Sequence, residues 1–279
     1  MGRGARGKST TTEEVISPPK EIPQVPLELN ADAGLEGEYM AWKKTQNLER
    51  KAASEKKHSM VYENVCTFHH LSVAAASCYV LYLGPSKWPS VFLVACWWIY
   101  SDFYSSLLHC VLDDPKCLKI PGVAPVAKGF QDHHHYPMES TAGKGLRMLC
   151  DDTVRIQWVT GGFSLLFSAQ RDRTTLVLIL LKWITCAYGT QVGHYYAHCA
   201  HVAPQVVKFL QRLHILLPPS QHWKHHKAPY ETNFGIVNGL TNHHINPVHL
   251  RSFSFAACFG LWCLMSMFDI AIWERFVTV

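Results

Sequence analysis

Five apolar stretches, near residues 66–83, 90–112, 154–169, 174–192 and 253–272, constrain this chain more than any other feature. A helix needs about 20 apolar residues to cross the hydrocarbon core of a bilayer. The second and fifth stretches meet that length, and the first and fourth approach it. The third measures only about 24 Å as a helix and can pair with the fourth as a hairpin turned at Gln170-Arg171-Asp172-Arg173. Lys182 interrupts the fourth, where its long stem is expected to carry the ammonium toward the interface. No strand-period alternation and no internal repeat accompanies these stretches. The expected class is all-α, a multi-pass membrane helical bundle.

Composition shifts sharply along the chain. Residues 1–60 are polar and rich in Lys, Glu, Ser, Thr and Pro, and are expected to form a disordered tail ahead of one membrane domain over 61–279. Pro18-Pro19, Pro23 and Pro26 oppose helix there, while a short helix near 36–57 is allowed. The formal net charge is +5, and Arg3, Arg6, Lys8, Lys43, Lys44, Arg50, Lys51, Lys56 and Lys57 place much of the basic excess in this tail. The expectation is a solvated cytosolic arm with no nucleic-acid partner. Its first twelve residues have the Arg, Ser and Thr of a transit peptide, but Glu13-Glu14 follow at once, and no secretory or myristoylation signal is expected. Of the 10 cysteines, Cys66, Cys78, Cys96, Cys186 and Cys258 sit inside apolar runs and none forms a CxxC pair. They read as small buried hydrophobes rather than as a disulfide framework or a zinc ribbon.

The chemistry is carried by histidine. The chain has 17, of which eleven fall between His109 and His226. His109 and Asp113 are i, i+4 and share a helical face, open to either a joint site or a polar helix end. Asp132 precedes His133-His134-His135. Neighbours on a helix diverge by about 100°, so these three cannot all serve one ion. His194 and His198 form an HxxxH pair at the end of an apolar helix. His222, His225 and His226 form an HxxHH box, in which His222 and His225 are expected to share a face with His226 flanking. His214 lies upstream, with Pro218-Pro219 breaking any continuous helix between them.

Sidedness organises these clusters. With the basic tail cytosolic, the first stretch exits, the second returns, and the 154–192 hairpin crosses out and back. His109, His133-His134, His194/His198 and the HxxHH box then all reach the cytosolic face as a histidine-rich cap. The Arg171/Arg173 turn would face the lumen, against the positive-inside tendency. Eight or so imidazoles exceed the four ligands of a zinc site and suit two ions with open positions. Imidazole accepts Fe, Zn and Cu alike, so the spacing does not choose the metal; the count and the membrane setting favour a di-iron oxidant. No nucleophile elbow, P-loop or dinucleotide glycine motif is present, so reducing power must come from outside the chain.

At these residues the chain resembles a known family, the lipid desaturases typified by plasmanylethanolamine desaturase and including a plant plastid phosphatidylglycerol desaturase and a bacterial carotenoid-regulator relative. Asp102-Phe103 through His109 and Asp113 resembles the DFxSxxxH stretch. Phe130-Gln131-Asp132-His133-His134 resembles the F-[RQ]-x-H-H box. His194, His198, Leu210-Gln211, His214, Pro218, His222, His225, His226, Pro229, Glu231, Thr232, Gly239 and Asn242 fall at the family's spacing. The resemblance implies that His109, His133, His134, His194, His198, His214, His222, His225 and His226 hold two irons. Asp113, Asp132 and Glu231 would orient imidazoles, and no catalytic residue beyond the ligands is implied. His135 stands where the family carries an apolar or basic residue and is set aside.

The implied reaction dehydrogenates an alkyl chain on an intact membrane phospholipid with O2. His214, Pro218 and Glu231-Thr232 look like the ether-lipid enzymes, which form the 1′-2′ vinyl ether of plasmalogens. That reading is favoured, with residence in the endoplasmic reticulum membrane and cytochrome b5 as electron donor. Phe130-Gln131, Gln221-His222 and Lys227-Ala228-Pro229-Tyr230 look like the plastid enzyme. The alternative is therefore 3-trans-hexadecenoyl phosphatidylglycerol synthesis in a plastid membrane, fed by ferredoxin. Rivals of another class are a non-enzymatic membrane metal-binding or regulatory protein and a membrane zinc hydrolase such as a ceramidase.

Overall fold

The apolar stretches become helices whose ends are set by local chemistry. The computed structural model describes residues 60–84, 88–135, 137, 152–227, 230–245 and 250–278, all within the unit Lys43–Val279. The expectations for residues 1–59 lie outside the described residues. Ten α-helices follow among the described residues: α1 (Met60–Leu83), α2 (Val91–Leu112), α3 (Ala124–His135), α4 (Asp152–Phe167), α5 (Arg173–Lys182), α6 (Thr190–His198), α7 (Gln205–Arg212), α8 (Pro219–His225), α9 (Leu240–Ile245) and α10 (Phe255–Thr278). No strand occurs among them. The all-α class expected from the sequence is the class found.

Among the described residues, three helices are long and apolar enough to cross a membrane: Val91–Leu112, Arg173–His198 and Phe255–Val277. The middle one joins α5 to α6 through a π-helical segment, Trp183–Gly189. The third apolar stretch gives the shorter apolar helix Trp158–Phe167. Ser90 caps α2, its Oγ accepting from Leu93 N at 3.1 Å. Asp172 opens α5 with a capping box closed by Thr175, so the hairpin turn falls where the sequence placed it. Glu274 of α10 clamps that turn, accepting from Ala169 N at 2.8 Å, Gln170 N at 3.2 Å and the Thr175 hydroxyl.

The bundle has an apolar core at each end and a polar middle. Leu93, Trp97, Leu178, Ile270 and Val277 pack at one end. Leu107, Leu108, Val111, Leu112, Val126, Ala127 and Cys258 pack at the other. Between them lies Lys182, fully buried. It does not extend to the interface. From the start of α5 it is about 14 Å deep, beyond the reach of its stem, and it instead pairs with Asp269 of α10 at 2.7 Å. Its Nζ also donates to Ser164 Oγ of α4 at 3.0 Å, and Tyr100 Oη of α2 donates to Asp269 at 3.0 Å. A charge pair in low dielectric persists only when its remaining valences are satisfied, and here four helices satisfy them. Midway along α1, the Tyr188 hydroxyl lies 3.1 Å from His69 Nε2 and 3.0 Å from His70 Nδ1. These two histidines therefore pin α1 to the bundle.

Candidate metal centre

Each histidine helix ends at the same place. α2 brings His109 in its last turn, with Asp113 as its C-terminal cap. α6 brings His194 and His198, one turn apart. α8 starts with Pro219 at a first-turn position, where the missing N–H costs nothing. It carries His222 and His225, with His226 as its cap. α3 brings His133 and His134.

These residues sort into two groups: His133, His194, His198, His222 and His226, and His109, Asp113, His134 and His225. In each, one potential ligand atom per residue lies within 4.8 Å of all the others. Consecutive residues go to different groups. His133 and His134 diverge on α3, and His225 and His226 diverge on α8. The expected partnership of His222 with His225 is corrected here, because His222 shares its group with His226, its Nε2 3.0 Å away. An i, i+4 pair is offset by about 40° around a helix and an i, i+3 pair by about 60°, and the separation selects the closer pair.

The Nε2 atoms of the first group converge too tightly for hydrogen bonding to explain. His198 Nε2 lies 3.0 Å from that of His133, 3.2 Å from His194 and 2.7 Å from His222. A further 2.8 Å separates His194 from His133. One imidazole nitrogen carries at most one proton and cannot serve three neighbours. Ligands at right angles, each about 2.1 Å from one ion, sit about 3.0 Å apart. In the second group, Asp113 Oδ2 is 3.5 Å from the Nε2 of each of His109, His134 and His225. His134 and His225 Nε2 are 2.9 Å apart. The donor sets fit metal ions, five imidazoles in one and three imidazoles with a carboxylate in the other.

Backbone carbonyls fix the tautomers. His109 Nδ1 is 3.1 Å from the Phe234 carbonyl, and His225 Nδ1 is 2.8 Å from that of Thr232. A carbonyl accepts only, so each Nδ1 carries the proton and each Nε2 keeps its lone pair, as metal-ligating histidines do. His109 Nε2 is buried with no hydrogen-bond partner. Burial, and then the neighbouring imidazoles, hold His133, His222 and His226 well below the usual histidine range. They are therefore neutral and able to coordinate at neutral pH.

The 230–242 segment that supplies those carbonyls is itself held by Asp102, which the sequence reading placed only within a motif. Asp102 is fully buried. Its Oδ1 accepts from Val237, Asn238 and Gly239 N at 3.1, 3.0 and 3.1 Å, and its Oδ2 from Thr241 N at 3.0 Å. A carboxylate inside a span and two turns before His109 was the available signal. Tyr230, at φ 63°, stacks on His134 with ring centroids 4.6 Å apart.

Two candidates fall elsewhere, and a third lies outside the described side chains. His214 belongs to neither group; it sits at φ 53° in the turn after α7, its ring 5.5 Å from that of His243. Glu231 is exposed. Asp132 lies on α3, and its side chain, like that of His135, is outside the described residues. Gln221, beside the first group, accepts from Asn233 Nδ2 at 2.6 Å and contacts His243 Nε2 at 3.1 Å.

A family model described as a lipid desaturase domain matches residues 98–255, which contain every residue of both groups. Chloroplastic fatty acid desaturase 4 of Arabidopsis thaliana is 26% identical over 52% of this chain and 44% of its own length. Plasmanylethanolamine desaturase of Myxococcus xanthus is 25% identical over 64% of each chain. Plasmanylethanolamine desaturase 1 of Mus musculus is 27% identical over 52% of this chain and 56% of its own. The matches thus span about half to two-thirds of these relatives. No solved structure matches.

Proposed function

Since this chain belongs to the lipid desaturase domain family, we propose that it converts the 1-O-alkyl chain of plasmanylethanolamine into the 1′-2′ vinyl ether of a plasmalogen. The coarser identity, a membrane oxidoreductase that desaturates lipid chains, follows from the family and the apolar helices. The observation that carries the proposal is the pairing of two adjacent imidazole-rich donor groups at the ends of span-length helices. We assign one iron to His133, His194, His198, His222 and His226, and a second to His109, His134 and His225 with Asp113. Two bound irons with O2 would supply the oxidising power that removes hydrogen from unactivated C–H bonds.

The chain's own residues do the rest. His109 and His225 present unprotonated Nε2 atoms because Phe234 and Thr232 hold their Nδ1 protons. Asp113 brings the one carboxylate of the two groups, so cation charge is compensated more in the second than in the first. Phe130 and Phe234 pack their rings against His109 at 5.2 and 5.9 Å and limit water there. The substrate chain enters between helices from the bilayer with its headgroup at the histidine end. Overall, one O2, two electrons, two protons and the two substrate hydrogens become two waters. The electrons come from an external carrier, for which cytochrome b5 at the endoplasmic reticulum is the proposed donor.

The test is lipid mass spectrometry of cells lacking their own enzyme and expressing this chain. Wild type is expected to restore vinyl-ether lipid, and His222→Ala or His226→Ala to abolish it. Undiminished vinyl ether in those variants would sink the ligand assignment. The Arabidopsis relative, as similar as the mouse one, supports a second substrate reading. Appearance of 3-trans-hexadecenoyl phosphatidylglycerol in place of vinyl ether would establish that reading and overturn the first.

A further inference from the structure

α7 and its flanks carry an apolar stripe that no described residue covers. Val202 lies in the 3-10 turn before α7, and Val206, Phe209 and Leu213 follow at intervals of three and four residues, one face of the helix. They are exposed by 51, 62, 56 and 54%. Ile215 continues the patch. The opposite face is occupied: Ala203, Val207 and Leu216 are buried, with Trp98, Val192, Tyr196 and Leu210 packed against them. Trp98 Nε1 also donates to the Ile215 carbonyl at 2.9 Å, tying the segment to α2.

The inner contacts give the depth. Val192 and Tyr196 lie about 9 and 3 Å before the end of the Arg173–His198 span. α7 therefore runs beside the last two turns of a membrane-crossing helix rather than beyond it. Lys208 and Arg212, one turn apart, line one side of the stripe, long basic side chains that can bury their stems and reach phosphate. A short helix with an apolar face and basic side chains beside it matches an element lying in the interface, its apolar face among the acyl chains.

We propose that Val202–Ile215 is a membrane-interface element whose occupant is the adjacent phospholipid leaflet, with the Val206–Phe209–Leu213 face among the acyl chains and Lys208 and Arg212 among the phosphates. This element holds the α6–α8 histidines at headgroup depth. The inference does not depend on the desaturase reading, because it concerns lipid contact with or without metal.

The test uses the full-length protein in phosphatidylcholine vesicles, with benzoylphenylalanine replacing Phe209 in one variant and Val206 in another. After irradiation, mass spectrometry is expected to find lipid acyl adducts as the main product at both positions. Crosslinks to a second copy of the chain would overturn the proposal in favour of a self-interface. Absence of any adduct in protein that has kept its helical circular dichroism would overturn it in favour of a water-facing patch.

Discussion

His222, His225 and His226 show how five consecutive residues serve two donor groups. The helix directs the i, i+4 pair to one group and the intervening residue to the other. Asp102 does comparable work without touching either group, because four backbone amides end on its carboxylate. Asp102→Ala leaves those donors buried and unsatisfied, at a cost of about 1–3 kcal/mol for each lost buried partner. The expected outcome is a lower melting temperature and loss of bound metal, checked by thermal unfolding and elemental analysis; metal retained at wild-type stoichiometry would refute the role. Acidity acts at the same scale. His133, His222 and His226 resist protonation in the fold, whereas in the unfolded chain they take up protons near pH 6.5. Unfolded chain then binds more protons, so stability is full above about pH 6.5 and falls as pH drops below it. For the fully buried His222 the loss approaches about 1.4 kcal/mol per pH unit. Melting curves of metal-free protein between neutral and acidic buffer should show this fall, and a flat profile would contradict it.

At the scale of elements, the site depends on how closely α6 approaches the 235–239 backbone. A Cβ on Gly193 would stand 2.7 Å from the Ile236 carbonyl oxygen and 2.8 Å from that of Val237. Neither is the tip of a flexible side chain, so Gly193→Ala must push α6 and its two histidines away from the segment that orients His109 and His225. Overpacking of this kind costs about 1–3 kcal/mol, and metal content should fall with it. Gly162 of α4 has nothing within 4 Å of its Cβ position, so Gly162→Ala is expected to leave metal content unchanged and to gain up to about 1 kcal/mol from helix propensity. Equal effects at the two glycines, read by metal analysis and thermal melting, would remove the steric argument. The Lys182–Asp269 pair belongs to this scale too, since it joins α5 to α10 while Ser164 and Tyr100 bring in α4 and α2.

For the whole molecule, the two groups draw on four helices, α2, α3, α6 and α8. Ions bound to the folded state and not to the unfolded chain stabilise by mass action. Purified protein should therefore bind two iron ions per chain. Chelation should lower the melting temperature and return it on reloading, followed by calorimetry. A single ion per chain, or a melting point indifferent to chelator, would rule out the paired centre.

The apolar lengths, the hairpin turn at 170–173 and the histidine spacing determined the helical class, the order of the long helices and the histidine clusters from which the two groups are drawn. These follow from local rules: span length, capping and the 3.6-residue period act within one segment and are written in it. Which histidine joins which group, the place of Asp113 beside three imidazoles, the position of His214 apart from both groups, and the partner of Lys182 were decided only by tertiary structure. Each depends on where a second helix crosses the first, and on a carbonyl or carboxylate about a hundred residues away. No periodicity encodes that meeting; close packing of α2, α6 and α10 and the buried valences of Asp102 and Asp269 fix it.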